Sequence, residues 1–134
     1  MQPTGHWSRV QVMCVDDNTH MLQILKAMLH TLGVRDVHTA LDAAAAFKEL
    51  RYSSPDLIIT DWLMQPLDGL DFVRVIRTGS DVRNHRVPII MLTGYAEHHL
   101  VIEAREAGVD DFLAKPISLG CLEGRLRRWL PHVP

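Results

Sequence analysis

Excess charge of either sign, cysteine and long apolar runs are all scarce in this chain, and each shortage removes a class of function. Fourteen Lys and Arg stand against sixteen Asp and Glu, a formal net charge of −2. A general nucleic-acid binder would carry a basic face or stripe. Disorder would need low hydrophobicity with high net charge, whereas 47% of these residues are apolar. Two cysteines, Cys14 and Cys121, in 134 residues imply no disulfide framework. No run approaches the ~18 uncharged apolar residues of a membrane span. Arg9 interrupts the N-terminus before a signal-like core forms. The expectation is one cytoplasmic domain with neither nucleic acid nor membrane as partner.

Short apolar runs alternate with helix-like segments. The runs are Val10–Val15, Val37–Ala40, Leu57–Thr60, Val87–Leu92 and Asp111–Ala114, and their lengths and β-branched content suit strands. Between them Met21, Leu25, Met28 and Leu32 form a stripe at helical spacing, with Gly33 where a C-terminal cap belongs. Further helices are expected at Ala43–Tyr52, Leu70–Thr78, Glu97–Ala107 and Leu119–Leu130, with loops at 64–68 and 79–86. A strand, a helix and two short loops take about 25 residues, so five units use about 125. The pattern therefore predicts a single α/β domain over 10–131, a doubly wound parallel sheet of five strands with helices on both faces. Residues 1–9 read as an extension, loose around Gly5–Trp7, and 132–134 as a tail or the start of a linker.

Ligands of open parallel α/β sheets bind beyond the carboxyl ends of the strands. Those ends carry Asp16-Asp17, Asp61, Thr93-Gly94 and Lys115-Pro116. Three carboxylates on one rim repel one another, which raises their pKa values when bare and calls for a divalent cation. An all-oxygen donor set suits Mg²⁺, with Mn²⁺ as the alternative. An aspartate can also attack phosphorus, while a lysine, a hydroxyl and a backbone amide hold the phosphoryl oxygens. The competing use of Asp16-Asp17 is as the N-cap of the following helix.

As a set these residues resemble the receiver domain of bacterial two-component response regulators, the CheY-like fold. The resemblance runs from Val10 to about Leu130. It rests on VDDN at 15–18, LIITDWLM ending just past Asp61, PLDG at 66–69, MLTG at 91–94 and AGVDDFLAKP at 107–116. It implies strand order 2-1-3-4-5 and a phosphorylation-dependent signalling switch. By that match Asp61 is the phosphoacceptor, Asp17 a direct Mg²⁺ ligand, and Asp16 a ligand acting mainly through water. The backbone carbonyl of Leu63 completes the metal set with Asp61. Lys115, Thr93 and the Gly94 amide would contact the phosphoryl group, Thr93 and Phe112 would form the switch pair, and Lys115–Pro116 would be cis. The implied donor is a histidine kinase or histidine phosphotransfer protein, with an unidentified output protein as target. Such a protein catalyses its own phosphorylation and dephosphorylation and is no enzyme of metabolism.

Departures exist. Gln65 intervenes before Pro66, where the common pattern places proline directly after the methionine. Asp110 and Arg125 fit the charges through which one subclass dimerises, but Val101 and Cys121 fall where further charges belong. Phosphorylation-dependent dimerisation therefore stays open, as does whether the domain stands alone or forms part of a larger regulator. A haloacid-dehalogenase-type phosphatase would show DxDx[TV], yet Leu63 stands two residues past Asp61. A flavodoxin-like cofactor loop would meet repulsion from Asp16-Asp17. The eight histidines include the adjacent pair His98-His99, which point about 100° apart on a helix and do not share one ion. Arg125, Arg127 and Arg128 read as a solvated face, and Trp129-Leu130 as a core closure.

In receivers the residues two past the phosphoacceptor and two past the switch threonine sit at the pocket mouth; here they are Leu63 and Tyr95. Neither offers a carboxylate or amide to place a hydrolytic water in line. The phosphoryl state is expected to decay slowly, and Leu63→Asn/Tyr95→Glu to decay about 10-fold faster. Following phosphoprotein loss by intact mass checks this, and equal decay would refute it.

Overall fold

A computed structural model of the chain describes residues 7–62, 68–79, 82–94 and 99–130. Leu63, Gln65, Pro66, Tyr95 and His98 lie outside the described residues. Five strands, β1 (Gln11–Val15), β2 (Asp36–Ala40), β3 (Leu57–Asp61), β4 (Ile89–Thr93) and β5 (Asp111–Ala114), alternate with five helices. The helices are α1 (Thr19–Thr31), α2 (Ala43–Leu50), α3 (Gly69–Thr78), α4 (Val101–Ala107) and α5 (Leu119–Trp129). The sheet is parallel throughout, in order β2-β1-β3-β4-β5. This is the expected architecture. β3 and β4 are buried along their whole length, which is why they read as unbroken apolar runs. β2 is one edge, and its exposed Asp36 and Thr39 explain its weak pattern.

Alternate side chains of each strand feed two cores. Met13, Val15, Ile58, Ile89 and Met91 pack against α2, α3 and α4 through residues such as Ala46, Phe72, Ile76 and Ala104. Val12, Cys14, Leu57, Ile59, Ile90 and Leu92 pack against α1 and α5 through Leu25, Leu29, Leu122 and Leu126. Trp7 belongs to the second core and is 4% exposed, so the expectation of a loose segment through Trp7 is corrected. Its large apolar ring gains more from burial beside Val10 and Val12 than a free terminus gains in entropy.

Helix α1 starts on Asn18, whose side chain accepts from the Met21 N–H. The capping role considered for Asp16-Asp17 thus falls to their neighbour, leaving the carboxylates for the rim. Gly33 adopts φ 100° just past α1, as its position implied. At the start of α3, Gly69 donates its N–H to the Trp62 carbonyl at 2.8 Å, drawing that helix against the end of β3.

A Cβ on Gly69 would collide with the Asp61 carbonyl oxygen and crowd Met91 Cε, whereas one on Gly124 in α5 meets nothing within 4 Å. Gly69→Ala is expected to destabilise by about 1–3 kcal/mol. Gly124→Ala is expected to stabilise by about 0.5–1 kcal/mol through helix propensity. Urea unfolding of both variants reads the opposite signs; a shared sign would contradict the packing.

Candidate active site

The carboxyl ends of β1, β3 and β5 gather Asp16, Asp17, Asp61 and Lys115 around one cavity of about 590 Å³. One carboxylate oxygen from each of Asp16, Asp17 and Asp61 lies within 4.8 Å of the others. Lys115 Nζ donates to Asp61 Oδ1 at 2.8 Å, and the Trp62 backbone N–H donates to the same oxygen at 2.9 Å. Among the described residues nothing donates to Asp61 Oδ2, while Asp61 itself lines the cavity.

The two adjacent aspartates are unequal. Asp17 is exposed, while Asp16 is 1% exposed. Asp16 Oδ1 accepts the Asn18 N–H at 2.9 Å, and among the described residues its buried Oδ2 has no partner. Its pKa rises from the ordinary 3.8 to about 6. Burial is the largest cause; the Asn18 N–H opposes it, and the Asp61 charge adds to it. The expected mutual repulsion of the three carboxylates is thus second to desolvation. A buried carboxylate oxygen without a donor, beside two further carboxylates in an all-oxygen set, fits a hard divalent cation of the Mg²⁺ type. Cys14, two residues earlier in β1, is pushed up to about 12 by burial and by Asp16, and is an inert core thiol.

The remaining expected residues are placed as follows. Thr93 ends β4, is 8% exposed, and its carbonyl accepts the Lys115 N–H at 2.8 Å, fixing the start of the β5–α5 turn. Gly94 follows it directly, half-buried. Phe112 pairs with Met91 and Ala114 with Thr93, so Thr93 and Phe112 lie two register positions apart on one sheet face. Phe112 is half-buried, with the Arg105 guanidinium 5.2 Å from its ring centre. Lys115–Pro116 is cis. The metal-ligand carbonyl assigned to Leu63 lies outside the described residues.

The cavity also has walls that sequence reasoning missed: His20, Met21 and Ile24 of α1 stand at its mouth. The available clue was position, because the first turns of a helix that starts just after Asp17 must overhang the acids. The charges considered for dimerisation are used within the chain. Asp110 Oδ2 holds Arg77 Nη2 at 2.9 Å and the Ile89 N–H at 2.8 Å, and Arg125 Nε donates to the Phe112 carbonyl at 3.0 Å. Asp111, 8% exposed, anchors α5 by accepting Trp129 Nε1 at 2.7 Å.

Residues 12–127 match the family described as the response regulator receiver domain. The chain is 36% identical over 118 residues to the chemotaxis protein CheY1 of Helicobacter pylori, covering 87% of this chain and 94% of that one. Against the chemotaxis protein CheY-3 of Vibrio cholerae it is 31% identical over 117 residues, covering 87% and 88%. Among solved structures, the receiver domain of a sensor histidine kinase from Pseudomonas aeruginosa PAO1 superposes with TM-score 0.78 at 34% identity, covering 90% and 96%. That structure has a magnesium ion coordinated in its active site cleft. CheY4 of Vibrio cholerae superposes with TM-score 0.80 at 30% identity, covering 90% and 98%. Among the described residues no helix is long and apolar enough to cross a membrane.

A raised Asp16 pKa means that the folded, metal-free state binds more protons than the unfolded state between pH 3.8 and about 6. Stability from this group is therefore lost as pH rises through that window, and the loss is complete above it. Asp16→Asn in a chelator is expected to be more stable than wild type by roughly 1–3 kcal/mol at about pH 8, with the advantage vanishing near pH 4. Chemical unfolding at both pH values checks it; a pH-independent difference would contradict the burial argument.

Proposed function

The chain belongs to the response regulator receiver family, and from that premise we propose that Asp61 accepts a phosphoryl group from a histidine kinase or histidine phosphotransfer protein in a Mg²⁺-dependent reaction. The observation that carries this is the asymmetry of the Asp61 carboxylate beside the acidic cavity: Oδ1 is held by Lys115 Nζ and the Trp62 N–H, and among the described residues nothing donates to Oδ2. An oxygen without a donor is a nucleophile whose partner oxygen is already fixed.

In the transfer, Asp61 Oδ2 attacks phosphorus as the donor's P–N bond breaks, and the leaving imidazole nitrogen keeps the electron pair. Asp16, Asp17, Asp61 and the Leu63 carbonyl would hold Mg²⁺, which neutralises carboxylate and phosphoryl charge when bound. Mn²⁺ suits the same donors. Lys115 is the cation beside the attacking carboxylate, and it balances charge on the arriving group. The Thr93 hydroxyl and the Gly94 amide take phosphoryl oxygens. Movement of Thr93 toward them frees space on the face it shares with Phe112, and the altered β4–β5 surface is what an output protein reads. The chain thus catalyses its own phosphorylation and dephosphorylation, acts on no metabolite, and works in the cytoplasm. Dimerisation through Asp110 and Arg125 is disfavoured, since both already bind within the chain.

Incubation with a small acyl- or amidophosphate and Mg²⁺ is expected to add one phosphoryl group by intact mass. Chelation or Asp61→Asn should abolish the gain, and Lys115→Met should slow it about 100-fold. A gain that persists in Asp61→Asn would overturn the assignment.

A further inference from the structure

At the opposite end of the strands a second cavity, of about 300 Å³, opens between the α3–β4 and α4–β5 connections. Its charged lining is Arg77, Arg86, Arg105 and Asp110, with His85 and Val109 completing the wall. Three arginines and one aspartate line it, in a chain whose net charge is −2.

The one acid is already matched. Arg77 spends all five N–H donors on the protein: Nε and Nη2 on the Gly108 carbonyl at 3.1 and 2.7 Å, Nη1 on the His85 and Val87 carbonyls at 2.7 and 2.8 Å, and Nη2 again on Asp110 Oδ2. It forms a rigid floor and offers nothing further to a ligand. Arg86 and Arg105 differ. Among the described residues neither guanidinium has a carboxylate or hydrogen-bond partner, although both line the cavity. The Arg86 backbone is fixed by its N–H on Asn84 Oδ1 at 3.0 Å, and Arg105 rests only against the Phe112 ring. His85 is held by its Nδ1 against the Ile76 carbonyl at 3.0 Å.

Planar guanidiniums with free N–H pairs match phosphate oxygens bidentately, and their mutual repulsion falls when a dianion sits between them. A cavity of this volume reaches the lower end of small-molecule sites and exceeds what a bare oxyanion fills. We infer that this cavity binds a small phosphomonoester, its phosphate gripped by Arg86 and Arg105 above the Arg77 floor and its organic part directed out through the cavity mouth. Occupancy takes Arg105 from its place over Phe112, so binding is also felt at that ring. The site lies at the opposite end of the strands from Asp61.

The test is a titration of metal-free, isotope-labelled protein with ribose 5-phosphate at fixed ionic strength, followed at the Arg86, Gly108 and Val109 amides. Saturable shifts are expected, with a dissociation constant about 5-fold or more below that of sulfate. Arg86→Gln/Arg105→Gln should weaken binding by about 10-fold or more, with β1 and β3 resonances unmoved. Arg86→Gln alone, which leaves Phe112 untouched, should weaken it about 3-fold. Asp61→Asn should bind as wild type. Non-saturating shifts, equal affinity for sulfate, unchanged affinity in the arginine variants, or shifts centred on Asp16 and Lys115 would each overturn the inference.

Discussion

Crowding of carboxylates at the ends of buried strands is the constraint on which the rest of the site depends. Asp61 closes β3, a strand with no exposed residue, and Asp16 follows β1 directly, so neither can turn fully to solvent. Two negative charges in that position raise the free energy of the fold unless a cation faces them. Lys115 supplies one cation, directed at Asp61 Oδ1. It leaves Asp16 Oδ2 without a donor and its carboxyl hard to ionise. That deficit fits the rim to a hard divalent cation, as the proposed phosphoryl transfer requires.

Precision at that rim comes from the connections behind the side chains. The Lys115 N–H on the Thr93 carbonyl ties the β5 end to the β4 end, and the Gly69 N–H on the Trp62 carbonyl ties α3 to the β3 end. The ends of β3, β4 and β5 are thus tied by backbone hydrogen bonds from neighbouring elements. At the far end Arg77 does the corresponding work, binding the α3–β4 connection to the C-terminus of α4 through His85, Val87 and Gly108. The two ends of the sheet carry opposite charge: carboxylates outnumber the cation above, and guanidiniums outnumber the acid below.

Some of this was legible in order of residues alone. The β3 and β4 runs, the α1 stripe closed by Gly33, and the acids directly after Val15 and Thr60 are local patterns, because burial on both faces of a parallel strand demands continuous apolar sequence. The burial of Trp7 was not legible, since a lone aromatic before the first strand carries no period. Nor was the Arg77 clamp: four of its five bonds end on backbone carbonyls, which every residue possesses and no sequence marks.

Asp16 and Asp17 draw the line most sharply. By itself the sequence determined that two acids follow the first strand and that a third follows Thr60, because alternation and strand length fix where a strand must end. Only the tertiary structure decided that Asp16 is buried, with an oxygen unpartnered among the described residues, while Asp17 stands in solvent. It likewise decided that Lys115, 54 residues from Asp61, holds one of that residue's oxygens and leaves the other free. Charge, burial and reach depend on neighbours brought together across the sheet, and those distances exist only once the chain has closed.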